Sequence, residues 1–223
     1  MIAGASSGIG AATARQLARQ GYSVHLLARR EAELRQLAEE ISGSYTVVDF
    51  ADAHAAEEAM TALEGPVGVA LYAAGTLSVS TVAEHPVELW ERTLAVNLTG
   101  AFLFSRGLVK LLGPGSRLFF ISSFAAGKGQ PQQSAYAASK SGLERFAESL
   151  HAELEPEGVS VNVIAPGPVA TPMLDIPGTS PYQLDAEAVA EMIAYIAALP
   201  PDVILRPIGF RAPIKGPFTR KRH

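Results

Sequence analysis

The sequence predicts an α/β fold: a doubly wound parallel sheet of about seven strands with helices on both faces, in a single domain over residues 1–223. Three observations carry this expectation. Apolar, β-prone runs alternate with helical patterns along the whole chain. The strand runs are almost continuously apolar, as strands covered on both faces are. A glycine-rich turn stands between an apolar stub and a helical pattern at the head of the chain.

The elements follow in order. Residues 1–3 are the stub, residues 4–10 the turn, and residues 11–20 the helix after it. Residues 22–28 (YSVHLLA) predict a strand, and Glu31–Ile41 (EAELRQLAEEI) a helix. Residues 45–50 (YTVVDF) predict a strand and 53–63 a helix. A strand at 67–73 leads to a long helix at 86–112. Residues 117–122 (RLFFIS) predict a strand, Ser134–Leu154 a helix, and 159–164 (VSVNVI) a strand. A helix at 186–199 and a last strand at 203–210 complete the alternation. No linker, repeat or low-complexity segment interrupts it.

Composition narrows the function classes. Hydrophobic residues make up 48% and charged residues 18% of the chain, a globular balance. A net charge of −4 gives no global reason to expect a nucleic acid partner. The absence of cysteine excludes disulfides, thiolate metal sites and a cysteine nucleophile, and is consistent with a cytoplasmic protein. The N-terminal residues lack the basic and apolar regions of a signal peptide. The most apolar long stretch, 94–112, is broken by Asn97, Thr99, Arg106 and Lys110, so no membrane span is expected. His25, His54, His85, His151 and His223 have no metal-ligand spacing, and no metal is expected.

Tyr136 and Lys140 stand four residues apart in a helical stretch and so share one face. A free phenol, with a pKa of about 10, is a poor proton donor or acceptor at neutral pH. A neighbouring cation favours the phenolate, and a tuned tyrosine can exchange a proton with an alcohol or carbonyl oxygen. The spacing alone is common by chance. The glycine turn gives it context. Gly4, Gly8 and Gly10 permit a tight turn and close approach of backbone to a pyrophosphate at a helix N-terminus. Ser6, Ser7 and Ile9 complete that cofactor-binding loop. At the end of the second strand, Arg29 and Arg30 stand where an acid would bind the ribose of NAD. Arginine there suits the 2′-phosphate of NADP, so NADP(H) is favoured and NAD(H) is the alternative. The alternative is that both arginines are solvated residues at a helix start, which would leave the preference open.

With these residues in place, the chain resembles the short-chain dehydrogenase/reductase family, in its short single-domain branch, over essentially its whole length. Gly4, Gly8 and Gly10 match the cofactor turn. Asp49, followed by Phe50, ends the third strand where the family contacts adenine, though a cap or turn role for Asp49 is nearly as well supported. Ala73, Ala74 and Gly75 match the tail of the family's Asn-Asn-Ala-Gly motif, and Asn97 its catalytic asparagine. Ser123 precedes Tyr136 by 13 residues, the family's spacing for the catalytic serine. Pro166, Gly167, Val169 and Thr171 match the segment that receives the nicotinamide.

The resemblance implies an NADP(H)-dependent oxidoreductase acting on a small carbonyl or alcohol substrate. Tyr136 would be the acid or base, with Lys140 lowering its pKa and holding the nicotinamide ribose. Ser123 would polarise the substrate oxygen, and Asn97 would position a relay water. It also implies a homodimer or homotetramer. A non-catalytic NADP(H)-sensing protein on the same fold is the alternative, with an epimerase or dehydratase a third reading.

Three features depart from the family pattern. Only Met1, Ile2 and Ala3 precede Gly4, which suggests a chain that starts a few residues late, and Ala3 replaces the usual threonine. Tyr72 and Ala73 replace the two asparagines, losing hydrogen bonds expected near the adenosine. The segment 173–184 is short and contains Pro177, Gly178 and Pro181, which predicts a small lid and an open site. Residues 203–210 with the basic tail at 211–223 are similar to members acting on small hydroxy compounds. The tail itself is expected to be a mobile terminus.

Overall fold

The computed structural model describes residues 1–174, 182–200, 203 and 208–210. Seven parallel strands form one sheet in the order β3-β2-β1-β4-β5-β6-β7. They are β1 (Ile2–Ala3), β2 (His25–Ala28), β3 (Ser44–Val47), β4 (Val69–Tyr72), β5 (Arg117–Ile121), β6 (Ser160–Pro166) and β7 (Ile208–Phe210). Central strands β4, β5 and β6 are buried at every position; β4 is wholly apolar, while β5 and β6 also bury Arg117, Ser160 and Asn162.

The helices divide into two layers. On one face lie α1 (Gly8–Arg19), α2 (Glu31–Ile41) and α8 (Ala186–Ala197), packed over Ile2, Leu26, Leu71, Phe119 and Ile164. On the other lie α3 (Ala53–Thr61), α5 (Gly100–Leu108) and α7 (Ser134–Leu154), over Ala3, Leu27, Ala70, Phe120 and Val161. Alternate residues of one strand feed opposite layers, as Ile2 and Ala3 do. Although β1 has only two residues, both are fully buried and pair with β2 on one side and β4 on the other. The amino group of Met1 adds a bond to the Val69 carbonyl at 2.7 Å.

The expected order of elements holds, while several boundaries move. Helices α2 and α7 have the expected limits. Strand β3 ends at Val47 rather than at Phe50, because Asp49 turns the chain by accepting the Ala51 N–H at 3.0 Å. Asp52 then caps α3 through the His54 and Ala55 N–H groups. The single long helix expected at 86–112 is segmented: α4 (Val87–Leu94), a π turn at Ala95–Thr99, α5, and a 3₁₀ turn at Val109–Leu111. By length and composition alone, the helical stretch Val87–Leu111 is long and apolar enough to cross a membrane, a test that a core helix also passes. Here Val96, Ala101, Leu103, Phe104 and Leu108 supply the core, which accounts for its apolarity. A short helix, α6 (Phe124–Gly127), was not expected. Strand β7 is described only at Ile208–Phe210 and, before it, Val203. Residues 175–181, the middle of the lid expected at 173–184, and the basic tail 211–223 lie outside the described residues.

Candidate active site

The strand order reverses between β1 and β4, which opens a crevice above their carboxyl ends. The glycine turn leaves β1 there, and Ala73–Gly75 leave β4. Gly4 has φ +78°, and a Cβ on it would lie 2.5 Å from the Ala74 nitrogen. A Cβ on Gly10 would lie 2.3 Å from the Gly4 carbonyl oxygen. The first turn of α1 therefore sits directly on bare backbone, with Ile9 packed against the core below. Ser7, the N-cap of α1, makes no side-chain cap, which leaves the helix N-terminus to a ligand.

The Ser6 and Ser7 hydroxyls instead accept from Arg30, at 3.0 and 2.6 Å from Nη2. Arg30 also pairs with Glu33 at 3.2 Å. Arg29 points elsewhere, to Asp49 at 3.6 Å. Asp49 is shared with Arg92 of α4 at 3.3 Å. The two arginines are therefore not equivalent: Arg30 lies on the glycine turn and Arg29 belongs to an Asp49-centred cluster. Asp49 is a turn residue, yet half-exposed at the strand ends and still accessible to a ligand. The Phe50 side chain is not in the crevice. It is buried edge-on against Tyr72 and Phe104, so only its backbone could serve the expected cofactor contact.

On the other side of the crevice, α7 presents Tyr136 and Lys140 on one face. Lys140 Nζ lies 5.7 Å from the centre of the Tyr136 ring and donates to the Ile121 carbonyl at 2.7 Å. Ser123, just beyond β5, caps α6 by accepting the Ala125 N–H at 3.2 Å, and its hydroxyl also meets that of Tyr136. Its neighbour Ser122 donates to Glu144 of α7 at 2.7 Å, which ties the strand end to the helix. Burial pushes the Tyr136 phenol above its ordinary value, and the Ser123 hydrogen bond only partly opposes this. Lys140 was expected to lower that pKa, but does not govern it here. Its ammonium is itself lowered by burial, to about 8.

Asn97 lies in the π turn, fully buried. Its Oδ1 accepts the Thr76 N–H at 2.8 Å, and its Nδ2 donates to the Thr76 carbonyl at 3.0 Å and to Ser139 Oγ at 2.9 Å. Both amide protons are thus engaged. Ser139 in turn donates to the Tyr136 carbonyl at 2.7 Å. A Cβ on Gly75 would lie 3.5 Å from Asn97 Oδ1 and 3.8 Å from Lys140 Nζ, so this glycine keeps the space between them clear. Ala73 is fixed by its N–H bond to the Ala3 carbonyl.

The segment after β6 closes the crevice. Gly167 donates to the Phe210 carbonyl, Val169 is buried and bridges to Leu184, and the Thr171 methyl would meet a Cβ on Gly8 at 2.9 Å. Pro166 ends β6 at the same edge. The structure therefore gathers Ser123, Tyr136, Lys140 and Asn97 around one crevice, beside the glycine turn, Arg30, Gly75 and Thr171. Sequence reasoning missed Ser139, Thr76, Arg92 and Glu144. The position of Ser139 next to Lys140 was the one available signal among them. No cluster of three metal-ligating side chains occurs among the described residues.

Comparisons with known proteins bear on the family and the fold. A family model described as short chain dehydrogenase matches residues 1–177. A short-chain dehydrogenase/reductase of Armillaria gallica is 34% identical over 220 residues, covering 91% of this chain and 84% of that protein. The actinorhodin polyketide ketoreductase solved with NADPH superimposes with a TM-score of 0.84 at 29% identity, covering 95% and 94% of the two chains. An alcohol dehydrogenase from Thermococcus sibiricus, complexed with 5-hydroxy-NADP, has a TM-score of 0.86 at 26% identity, covering 100% and 97%.

Proposed function

This chain belongs to the short-chain dehydrogenase family, and on that premise we propose that it is an NADP(H)-dependent oxidoreductase interconverting a secondary alcohol and a ketone or aldehyde. The observation that carries the reading is the meeting of Tyr136, Ser123 and Lys140 at the strand ends beside a bare-backbone glycine turn.

The residues present fit a nicotinamide dinucleotide. Gly4 and Gly10 let the turn pack on backbone where any Cβ would clash, and the uncapped N-terminus of α1 suits a diphosphate. Arg30, already seated on Ser6 and Ser7, suits a 2′-phosphate. Gly8, Gly75, Pro166, Gly167, Val169 and Thr171 would line the nicotinamide end. When bound, the cofactor supplies the hydride chemistry.

The chain handles the proton and the geometry. The Ser123 hydroxyl donates to the substrate oxygen and holds it against Tyr136. In reduction the Tyr136 phenol, which burial favours in its neutral form, would give its proton to the developing alkoxide; in oxidation the Tyr136 phenolate would take the proton of the alcohol. Lys140 donates one proton to the Ile121 carbonyl and would offer its others to the ribose hydroxyls of a bound cofactor. Asn97 fixes the Thr76 backbone and Ser139, and with them the floor of the relay.

The test is turnover of a panel of aldehydes, ketones and β-hydroxy acids with NADPH, NADH and their oxidised forms. Tyr136→Phe should lower turnover at least about 100-fold, within the range for a positioned acid-base group, while NADPH binding persists. Retained turnover in that variant would remove Tyr136 from its role. Tight NADPH binding with no turnover across the panel would instead favour a nucleotide-sensing protein.

A further inference from the structure

The buried tyrosine that interrupts the family's asparagine pair makes a contact the reading above does not use. Tyr72 ends β4 with 1% of its surface exposed, and its hydroxyl donates to the Val96 carbonyl at 2.6 Å. Val96 is the residue before Asn97, inside the π turn that joins α4 to α5. A π turn inserts one residue into the helical ladder, and its wider repeat leaves a carbonyl in want of a donor. Such turns persist when something outside the helix satisfies that group. The Tyr72 hydroxyl does so here from the sheet side.

The surroundings are shaped for this hydroxyl. A Cβ on Gly100, at the end of the π turn, would lie 2.3 Å from it. The Tyr72 ring is held by Phe50 and Phe104, with centroids 5.2 and 5.4 Å away. The ring is thus fixed independently of the hydrogen bond, and the bare edge of Gly100 lets its oxygen reach the helix backbone. One residue further on, Asn97 turns its amide onto Thr76 and Ser139. In an unbroken α-helix the residues after Val96 would be rotated relative to this arrangement, since each residue contributes about 100° of turn.

We propose that Tyr72 is a positioning residue for Asn97: by bracing the Val96 carbonyl it holds the π turn open, and so aims the Asn97 amide at the Thr76 backbone and Ser139. The hydroxyl that replaces the family's asparagine thereby acts on the proton-relay side of the site rather than on the adenosine side. This inference rests on the role of Asn97 proposed above, and its experiment separates the two.

Tyr72→Phe removes only the oxygen and keeps the ring packing, so the variant is expected to fold. Hydrogen exchange of the Thr76 amide, whose acceptor is Asn97 Oδ1, should accelerate at least about tenfold, as loss of one well-made hydrogen bond predicts. With the carbonyl compound that the wild-type protein reduces fastest, kcat should fall about 10-fold to 100-fold, the scale of a small misplacement, at unchanged KM for NADPH. In an Asn97→Ala background, Tyr72→Phe should produce no further loss of kcat. Unchanged Thr76 protection, or a full multiplicative loss in the Asn97→Ala background, would overturn the proposal. Wild-type turnover by Asn97→Ala would defeat the role of Asn97 itself, whereas faster Thr76 exchange in Tyr72→Phe would still uphold the bracing.

Discussion

Replacing Lys140 by methionine should make this protein more stable at neutral pH while abolishing its turnover. Lys140 is 4% exposed and sits between α7 and the end of β5. Burial lowers its pKa from 10.5 to about 8. At about 1.4 kcal/mol per pH unit, keeping the ammonium charged inside the fold costs roughly 3 kcal/mol at pH 7. Its bond to the Ile121 carbonyl would be lost, which offsets about 1–2 kcal/mol. The net expectation is a gain of about 1–2 kcal/mol, or roughly 2–8 °C in Tm for a chain of this size.

The pH dependence is the sharper part. Below pH 8 the lysine is protonated in both folded and unfolded chains, and the penalty is present in full. Between about 8 and 10.5 the folded protein holds fewer protons than the unfolded one, so wild-type stability rises with pH through that window. Above it both are neutral and the penalty is gone. The advantage of Lys140→Met should therefore be largest at pH 7, fall through zero at about pH 9–10 and reverse towards pH 10.5, where only the lost bond to Ile121 remains. Urea unfolding of both proteins at pH 7, 8, 9 and 10 would measure it. A variant that is less stable at pH 7, or whose difference from wild type is flat with pH, would refute the reasoning.

Two further outcomes are expected. Arg30→Asp should weaken NADPH binding at least about 30-fold more than NADH binding, because it removes a charge-assisted phosphate contact. Arg29→Asp should discriminate less, since Arg29 faces Asp49; isothermal titration with both nucleotides would check this, and an equal effect of the two substitutions would contradict the geometry. Arg117→Met should lower stability by about 2–4 kcal/mol in urea unfolding, because this buried guanidinium donates to the Leu199, Pro200 and Val203 carbonyls beyond α8 and to Ser160 on β6. A change below about 0.5 kcal/mol, typical of surface sites, would show that those carbonyls find other donors.

How far the sequence went can be argued residue by residue. The limits of α2 and α7 were legible because their helical patterns are long and uninterrupted. The end of β3 was not, because the apolar run continues past Asp49, whose turn is made by one side-chain bond to Ala51. Phe50 was assigned to the cofactor by its place in the chain, yet its ring is claimed by Tyr72 and Phe104, a tertiary contact that local pattern cannot foresee. The π turn escaped for a similar reason: its inserted residue is sustained by Tyr72 from 24 positions away. Among site residues, Tyr136 and Lys140 were singled out by their helical spacing, and Ser123 and Asn97 by the family resemblance. Arg92, Thr76 and Glu144 act through partners distant in sequence and left no local trace. The expected tuning of Tyr136 by Lys140 is opposed by burial of the phenol, which local pattern could not show.

The seating of Arg30 on Ser6 and Ser7 bears on how quickly and how selectively an anion can be taken up. A long arginine side chain loses rotamer freedom when it is fixed, by up to about 2 kcal/mol. Here much of that freedom is already gone, since two hydroxyls and Glu33 hold the guanidinium in advance. An incoming phosphate would exchange partners rather than order a free chain, so its association would be limited by displacement of Glu33 and by salt, and a nucleotide without that phosphate would find a self-satisfied cluster with no reason to open.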